Sequence, residues 1–190
     1  MSSDNSLTTD QQNLLLEVAR ESIRYGVEHQ QEQTLSLGNY DSALQQQRAT
    51  FVTLHLNHQL RGCIGTLEAH QPLVLDVAHN AHAAASTDPR FMPVTASELD
   101  NLEIHISILN PSEELEFDSE QDLIRQIRPG IDGLIMQDEH NRGTFLPSVW
   151  EQLPDPTEFI QHLKLKAGLP VNHWSDTLKV WRYTSNSFPA

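Results

Sequence analysis

Two alternating segments that follow each other closely constrain the fold more than any other feature of the chain. Apolar residues or glycine occupy every second position from residue 52 to 56 and again from residue 60 to 64. A period of two is typical of β-strands, because successive side chains point to opposite faces. The segments therefore predict a hairpin in which Val52 and Ile64 pair on the core face. That parity requires an odd loop, most simply Asn57-His58-Gln59.

The opposite face of this predicted hairpin carries its polar residues. The same register places Thr53 opposite Cys63 and His55 opposite Arg61, so that Arg61 and Cys63 project from the same side of their strand. His55 is then diagonal to Cys63, at roughly 7–8 Å between backbones.

The rest of the chain predicts helices and a few more strands. A capping box of Thr9 and Gln12 begins a first helix that ends near Gly26. The further predicted elements are a short helix after Asp41, a helix over 72–86, a strand over 102–109, a helix over 119–127, a hairpin over 133–146, a helix over 156–167 and a strand over 178–183. Because hairpins dominate, we expect an α+β fold with a mainly antiparallel β-sheet flanked by helices.

Length and composition restrict the class of protein. The 190 residues suit one domain, which we place at 10–186, between a disordered tail at 1–9 and a short tail at 187–190. The formal net charge is −14 and no run of basic residues is present, which argues against binding to nucleic acid or to an anionic membrane. A single cysteine, no signal peptide and no apolar run long enough to span a bilayer predict a cytoplasmic protein.

Several separated motifs carry a family resemblance. The segments that carry it are Leu60-Arg61-Gly62-Cys63-Ile64-Gly65, Asp88-Pro89-Arg90-Phe91, Leu109-Asn110-Pro111, Gly130-Ile131-Asp132-Gly133-Leu134-Ile135, Phe145-Leu146-Pro147 and Leu165-Lys166-Ala167-Gly168-Leu169-Pro170. In this order, over about residues 10 to 186, the chain resembles the AMMECR domain family, the A component of the AmmeMemoRadiSam system.

The resemblance implies an α+β fold with a larger and a smaller lobe and a cleft between them. It also implies a genetic association with a Memo-type protein and a radical-SAM protein. One position departs from some relatives, which have a cysteine where this chain has Lys164. A mechanism that requires two cysteines is therefore in doubt for this chain.

Cys63 with Arg61 is the strongest candidate for chemistry. A thiolate is the reactive form of cysteine, and a neighbouring guanidinium lowers the thiol pKa. The alternative is a half-buried cysteine that acts as a small apolar residue, with Arg61 in an ion pair. Gly62 and Gly65 either let a ligand or a neighbouring chain approach the backbone, or they mark a bulge.

Three further residues complete the predicted ligand-binding site. We expect Asp88 to accept backbone hydrogen bonds in a turn and Arg90 to point into the predicted cleft. Arg61 and Arg90 together clamp a carboxylate or phosphate, or each of them forms a structural ion pair instead. Glu68 follows the glycine motif and is a candidate acid or base, or an exposed loop residue.

No metal site and no cofactor are predicted. His79 and His82 lie on one face of the second long helix, but the sequence shows no third ligand at a suitable spacing. No phosphate loop or dinucleotide fingerprint is present.

Two hypotheses for the function remain. The first is a binding or substrate-presenting component that acts with Memo-type and radical-SAM partners on an unknown small ligand, without nucleic acid or membrane. The second is a thiol-dependent enzyme or modifying factor that uses Cys63, with Arg61 as the anion anchor. The sequence favours the first, because it has one cysteine, no assured base and no metal cluster.

Overall fold

A computed structural model describes residues 6–189 and divides the chain into two compact units. The first contains the chain up to Leu109 together with the C-terminal segment from Asn186, and the second contains Asn110–Ser185. Each unit holds a four-stranded antiparallel β-sheet flanked by helices. The predicted α+β class is therefore confirmed, while the predicted cleft stays a prediction.

The first sheet has the strand order β2-β1-β3-β8, so β2 is an edge strand. Its strands are β1 (Ala49–Leu56), β2 (Gln59–Gly65), β3 (Leu102–Leu109) and β8 (Ser185–Phe188). Two long helices, α1 (Thr9–His29) and α3 (Leu73–Ser86), pack with one face of this sheet around a common core. The core includes Leu15, Ile23, Leu44, Val52, Leu54, Leu73, Val77, Ala81, Ile104 and Ile106. The other face of β1–β3 carries the polar residues of the alternating strands.

The β1–β2 hairpin differs from its prediction in the turn. Thr53 pairs with Cys63 as predicted, but beyond Leu54 the register shifts and His55 pairs with Leu60, not with Arg61. A β-bulge at Arg61 absorbs the odd residue, so the turn has two residues rather than three. Asn57 and His58 have φ values of 53° and 63°, the left-handed pair that matches the twist of a tight hairpin.

Helix α1 begins and ends at positions other than those predicted. Thr8, not Thr9, caps it, in a capping box with Gln11. The helix continues past Gly26 and ends where Gln30 adopts a left-handed conformation. Gly26 has a packing role instead, because a Cβ atom there would lie 2.4 Å from the ring of His82.

The C-terminal boundary also differs from the prediction. Strand β8 continues to Phe188, whose side chain is buried in the first core, so the domain extends beyond residue 186. Of the tail predicted for residues 187–190, Ser187 and Phe188 belong to this strand, and residue 190 lies outside the described residues. At the other end, most of the tail predicted for residues 1–9 lies outside the described residues.

The second sheet has the strand order β4-β7-β5-β6, so β6 is an edge strand. Its strands are β4 (Glu113–Glu114), β5 (Gly133–Asp138), β6 (Asn141–Phe145) and β7 (Lys179–Tyr183), and its helices are α4 (Glu120–Gln126) and α5 (Pro156–Lys166). Trp150 belongs to this core and stacks on Phe159 with the ring centroids 3.8 Å apart.

The elements outside the two sheets are short. A four-residue helix α2 (Ser42–Gln45) follows Asp41 as predicted, and 3-10 helices lie at Leu37–Asn39, Ala96–Asn101 and Pro147–Glu151. Within residues 6–189, none of the helices has the length and apolar character needed to cross a membrane.

Candidate functional site

Cys63 lies in the middle of edge strand β2 with its half-buried side chain on the outward face of the first sheet. Its Sγ atom is 3.2 Å from Oγ1 of Thr53, the cross-strand partner. Its backbone N–H points away from β1 and donates to Oδ2 of Asp88 over 3.0 Å. A pair that does not exchange backbone hydrogen bonds brings its side chains closer, which explains the contact between the thiol and the hydroxyl.

Asp88 is a buried carboxylate held by an arginine two residues away. Arg90 donates from Nε to Oδ1 over 3.1 Å and from Nη2 to Oδ2 over 2.8 Å, which is a bidentate ion pair. These bonds from Arg90, with the backbone bonds from Cys63 and Arg90, hold the pKa of Asp88 well below its usual range although burial opposes them. The hydrogen bonds to Asp88 raise the pKa of the exposed Arg90 although burial opposes them, and the charges of Asp88 and then of Cys63 add to the rise.

Arg61 forms a second bidentate pair, with a residue that the sequence analysis did not single out. Its Nε and Nη2 atoms donate to the two carboxylate oxygens of Glu98 over 3.2 and 3.1 Å. Burial raises the pKa of Glu98, but bonds from Arg61 and Thr95 outweigh it, so the net pKa is lowered. The Thr95-x-x-Glu98 capping box was the available sequence signal for this position.

The two arginines thus each bind a carboxylate of their own. This arrangement corresponds to the ion-pair alternative for both residues. A joint clamp by Arg61 and Arg90 stays a prediction, and it requires Arg90 to exchange Asp88 for the ligand or to use its remaining N–H groups.

Gly62 and Gly65 have packing explanations. A Cβ atom on Gly62 would lie 2.2 Å from the carbonyl oxygen of Ala84, so glycine lets helix α3 approach β2. A Cβ atom on Gly65 would lie 2.2 Å from the ring of Phe51, its cross-strand partner. These contacts fix the position of the strand that carries Cys63, and the predicted ligand contacts of both glycines remain predictions.

The other candidate residues have contacts of their own. Glu68 is exposed in the segment after β2, where its backbone carbonyl is 3.3 Å from the His70 ring. His79 contacts Glu32 over 2.9 Å, and His82 packs on Gly26, so their neighbours differ. Over residues 6–189, no group of three or more histidine, cysteine, aspartate or glutamate side chains is arranged to hold a metal ion.

His55 shares the outward face with Cys63, but its neighbours are other histidines and a glutamate. It pairs with Glu103 across β3, and its ring meets that of His105 edge to face with centroids 5.3 Å apart. Burial lowers the pKa of His55, with further lowering by His105 and His58 and an opposing effect of Glu103.

Lys164, which directly precedes the Leu165–Pro170 motif, is fully buried in the second unit. Its Nζ atom donates to Glu120 over 2.6 Å and to the carbonyl of Val171 over 3.2 Å, and it lies 5.7 Å from the ring centroid of Trp174. The lysine therefore connects α5 to α4 and to the segment after α5, which is a structural role.

Asp138 organises the same segment after α5. It accepts hydrogen bonds from the hydroxyls of Ser175 and Thr177, and its Oδ2 lies 2.6 Å from Nε2 of His173. These bonds, those of the hydroxyls first, lower the pKa of Asp138 to about 2. Sequence reasoning missed this cluster, because its members are 35 to 39 residues from Asp138.

The fold and the site define a class of two-unit α+β proteins whose Leu60–Gly65 segment is an edge strand fixed by a carboxylate and by close glycine contacts. Comparison with known proteins gives the family. The profile of the AMMECR1 family matches residues 16–188, so this chain belongs to the AMMECR1 family, as the resemblance indicated.

Similar proteins occur in archaea and bacteria. A protein of Methanothermobacter thermautotrophicus is 36% identical over 184 residues, which cover 96% of this chain and 95% of that protein. Protein MJ0810 of Methanocaldococcus jannaschii is 37% identical over 79% of this chain and 77% of its own length. The crystal structure of uncharacterized protein PH0010 from Pyrococcus horikoshii matches with a TM-score of 0.85 and 33% identity, over 92% of this chain and 88% of that one.

Proposed function

We propose that this protein is a binding component that presents a substrate to a Memo-type protein and a radical-SAM protein. The binding surface is the edge of the first sheet formed by β2 and the segment 88–92, which we call the motif edge. The genetic association implied by the family supports the choice of partners. The proposal rests on how the polar groups of this edge are used.

One observation carries the proposal. The polar side chains around Cys63 form hydrogen bonds and ion pairs with each other and with the backbone of β2. The carboxylate of Asp88 accepts from the Cys63 N–H and from Arg90, and Arg61 is paired with Glu98. The sulfur of Cys63 lies 3.2 Å from the hydroxyl of Thr53, its cross-strand neighbour. The arrangement gives a rigid surface, which suits binding better than catalysis.

Two exposed apolar side chains flank these polar pairs. Leu60, beside Arg61 in β2, is 42% exposed, and Met92, two residues beyond Arg90, is 80% exposed. The buried centre of a protein interface is more apolar than the rest of the surface, and methionine is enriched there. The place of Leu60 and Met92 in the two segments that carry the motifs supports a role of the motif edge in contacting a partner.

The test is binding of the full chain to each purified partner by calorimetry. Leu60→Asp and Met92→Asp place a charge in the proposed interface, and we expect each to weaken binding by about tenfold or more. Ile131→Asp is the matched control, because Ile131 is 50% exposed and lies in the second unit. Equal losses in all three variants, or no binding of the wild type to either partner, would contradict the proposal.

A second candidate function is supported by the position of Arg90, which binds the same Asp88 carboxylate oxygen that accepts the Cys63 N–H. A thiol-dependent factor needs an accessible thiolate, and a nearby guanidinium favours that form. The pH dependence of Cys63 alkylation in the folded and the unfolded chain tests it without interference, because Cys63 is the single thiol. An apparent pKa well below the ordinary value of about 8.5, moved back by Arg90→Gln, would favour this function over pure binding. Labelling only after unfolding would exclude it.

A further inference from the structure

A histidine near the end of the β1–β2 hairpin has a buried nitrogen atom without a hydrogen-bond partner. The atom is Nδ1 of His55, which has no such partner within the described residues 6–189. The neutral imidazole tolerates this position, because Nδ1 can be the ring nitrogen that carries no hydrogen. In the imidazolium both nitrogens carry one, so protonation leaves a buried, charged donor unsatisfied, which is costly. The surroundings of Nδ1 therefore favour the neutral form of His55.

The titratable groups around His55 come from β3 and from the turn. On β3, the ring of His105 meets that of His55 edge to face with the centroids 5.3 Å apart, and Glu103 pairs with His55 across the strands. In the turn, Nδ1 of His58 lies 3.3 Å from the Glu103 carboxylate. The residue that pairs with His55 from β2 is Leu60, which carries no charge. His55 thus has two further histidines and one carboxylate around it.

A separate ion pair accounts for the charged residue next to Leu60. Arg61 on β2 donates from two nitrogens to the carboxylate of Glu98 in the 3-10 helix, so the two charges compensate each other.

The balance of these groups lowers the pKa of His55. Burial is the largest cause and the charge of His105 the next, while Glu103 opposes the shift and His58 adds to it. Because the folded hairpin then holds the proton less tightly than an open one, acid favours the open form. The stability of the hairpin end is complete above the ordinary pKa of 6.5 and is reduced as the pH falls below it.

The hairpin provides a short segment that can separate from the sheet. Only the pairs His55–Leu60 and Leu56–Gln59 lie between the bulge and the turn. Strand β1 is paired with β3 along its whole length, so separation at these two pairs displaces the β2 side. Segments with few backbone contacts are the ones that open locally at low cost. The side chain displaced with this segment is Leu60, which is 42% exposed and belongs to the motif edge.

We propose that this hairpin end is an acid-sensitive switch, in which protonation of His55 separates Gln59 and Leu60 from β1 and withdraws Leu60 from the motif edge. Separation gives the imidazolium access to water, which accepts the hydrogen bond of its second N–H group. The consequence for binding rests on the proposed function, because acid then releases a partner that the motif edge holds at neutral pH. The structural change itself needs no partner.

The first measurement is amide hydrogen exchange of the full chain alone, read by NMR and expressed as protection relative to the unstructured rate at each pH. Gln59 reports on the hairpin end, and Met136 in β5 of the second unit is the reference. From about pH 7.5 to about pH 5.5, the protection of Gln59 should fall by up to about tenfold for each unit by which the pKa of His55 is lowered. Protection that stays constant at Gln59, or that falls equally at Met136, overturns the switch.

Variants identify the titrating group. His55→Gln keeps a polar side chain but cannot gain a charge, so the protection of Gln59 should no longer depend on pH in this range. His79→Gln is the matched control, because His79 is a more exposed histidine that pairs with Glu32, and it should behave like the wild type. A wild-type pH dependence in His55→Gln overturns the proposal. If His55→Gln does not fold, NMR of the wild-type ring decides, and a His55 pKa at or above 6.5 overturns the proposal.

Calorimetry with the two partners at both pH values separates this proposal from the proposed function. The expected result is binding that weakens in acid for the wild type and persists for His55→Gln. Equal weakening in both proteins, or no weakening in either, overturns the regulatory role and leaves the proposed function in place. If neither partner binds at either pH, the choice of partners fails, and the exchange of Gln59 still decides the switch.

Discussion

The two units position a helix against a sheet in the same way. In the first unit, Gly62 on edge strand β2 lets α3 approach so closely that a Cβ atom would lie 2.2 Å from the Ala84 carbonyl. In the second unit, Gly143 on edge strand β6 lies against the end of α5, where a Cβ atom would be 2.8 Å from the nitrogen of Ala167. In both units the carboxylate of a buried aspartate also forms hydrogen bonds that connect the segment after the helix to the sheet. We call this connection the aspartate tie.

The direction of this tie is reversed between the units. In the first unit the carboxylate, Asp88, is on the segment after the helix, and the donor is the backbone of Cys63 on the strand. In the second unit the carboxylate, Asp138, is on strand β5, and the donors, such as Ser175 and Thr177, are on the segment after the helix.

The reversal changes how each carboxylate is oriented. Asp88 is oriented in part by Arg90, two residues away, so a local contact contributes to the position of its carboxylate. Asp138 depends on three side chains at least 35 residues away, so its geometry requires the whole segment to be ordered. A locally organised carboxylate fixes the strand that carries Cys63 at a smaller cost in chain entropy.

The largest expected effect comes from the close glycine contact of the first unit, which can be compared with its counterpart in the second. Gly62→Ala meets a helix carbonyl, which cannot rotate away, and should lower the free energy of unfolding by about 3 kcal/mol. Gly143→Ala meets the Ala167 backbone at a longer distance and should cost about 1 kcal/mol. Urea unfolding measures both, with circular dichroism for the first unit and tryptophan fluorescence for the second, which contains Trp150, Trp174 and Trp181. Equal costs would show that the two contacts are equivalent.

The tie in the first unit should give the next largest effect. Asp88→Asn removes the ion pair with Arg90 and weakens the acceptor for the Cys63 N–H, and it should cost about 2 kcal/mol in the free energy of unfolding. Arg90→Lys keeps a positive charge and should cost less than half of that. If both variants have the same urea midpoint of unfolding as the wild type, the ion pair between Asp88 and Arg90 does not stabilise the first unit.

The tie in the second unit should show a smaller effect that depends on pH. The pKa of Asp138 is lowered from 3.8 to about 2, so its stabilising contribution is complete above the ordinary pKa and is lost as the pH falls through about 2. Asp138→Asn should therefore reduce stability near neutral pH and flatten the acid part of the curve. Tryptophan fluorescence during acid titration measures this. An unchanged acid transition in Asp138→Asn would assign that transition to other carboxyl groups.

The smallest effect concerns the aromatic rings that cover glycines in both sheets. Phe51 covers Gly65 in the first sheet, and Tyr183 covers Gly133 in the second, with a hydroxyl that donates to the Phe145 carbonyl over 3.1 Å. Tyr183→Phe makes the second pair like the first and should cost about 1 kcal/mol at neutral pH.

The same substitution should change the alkaline limit of stability. Burial raises the pKa of Tyr183 from 10.0 to about 12, so its contribution is complete below the ordinary pKa and is lost as the pH rises through about 12. The Phe variant should lack this loss, which thermal unfolding across alkaline pH detects. If the wild type and the variant lose stability in parallel, Tyr183 is not the group responsible.

Local patterns in the sequence were sufficient for most elements. Strand β3 has the predicted bounds, 102–109, because its alternation is regular and both of its ends are marked. The pairing of Thr53 with Cys63 followed from the same periodicity. The short polar strand β8 was missed, because Ser185–Phe188 shows no alternation and depends on pairing with β3 for its existence.

The geometry of the site was less predictable, because it depends on contacts between distant residues. The parity argument assumed an uninterrupted register, and a bulge at Arg61 satisfied it by another route. Glu98 is 37 residues from Arg61, and Asp88 is 25 residues from Cys63, so no local pattern specifies either contact. The roles of Gly62 and Gly65 required the positions of α3 and Phe51, which the sequence does not provide.

The hydrogen bond between Asp88 and Cys63 also has a consequence for self-association. Strand β2 is an edge strand, and an edge with unsatisfied N–H groups can add a strand from another molecule and start aggregation. The Asp88 carboxylate occupies the central N–H of this edge and places a negative charge where an incoming strand would need to pair. The contact that holds the Cys63 strand in position therefore also protects the chain from edge-to-edge polymerisation.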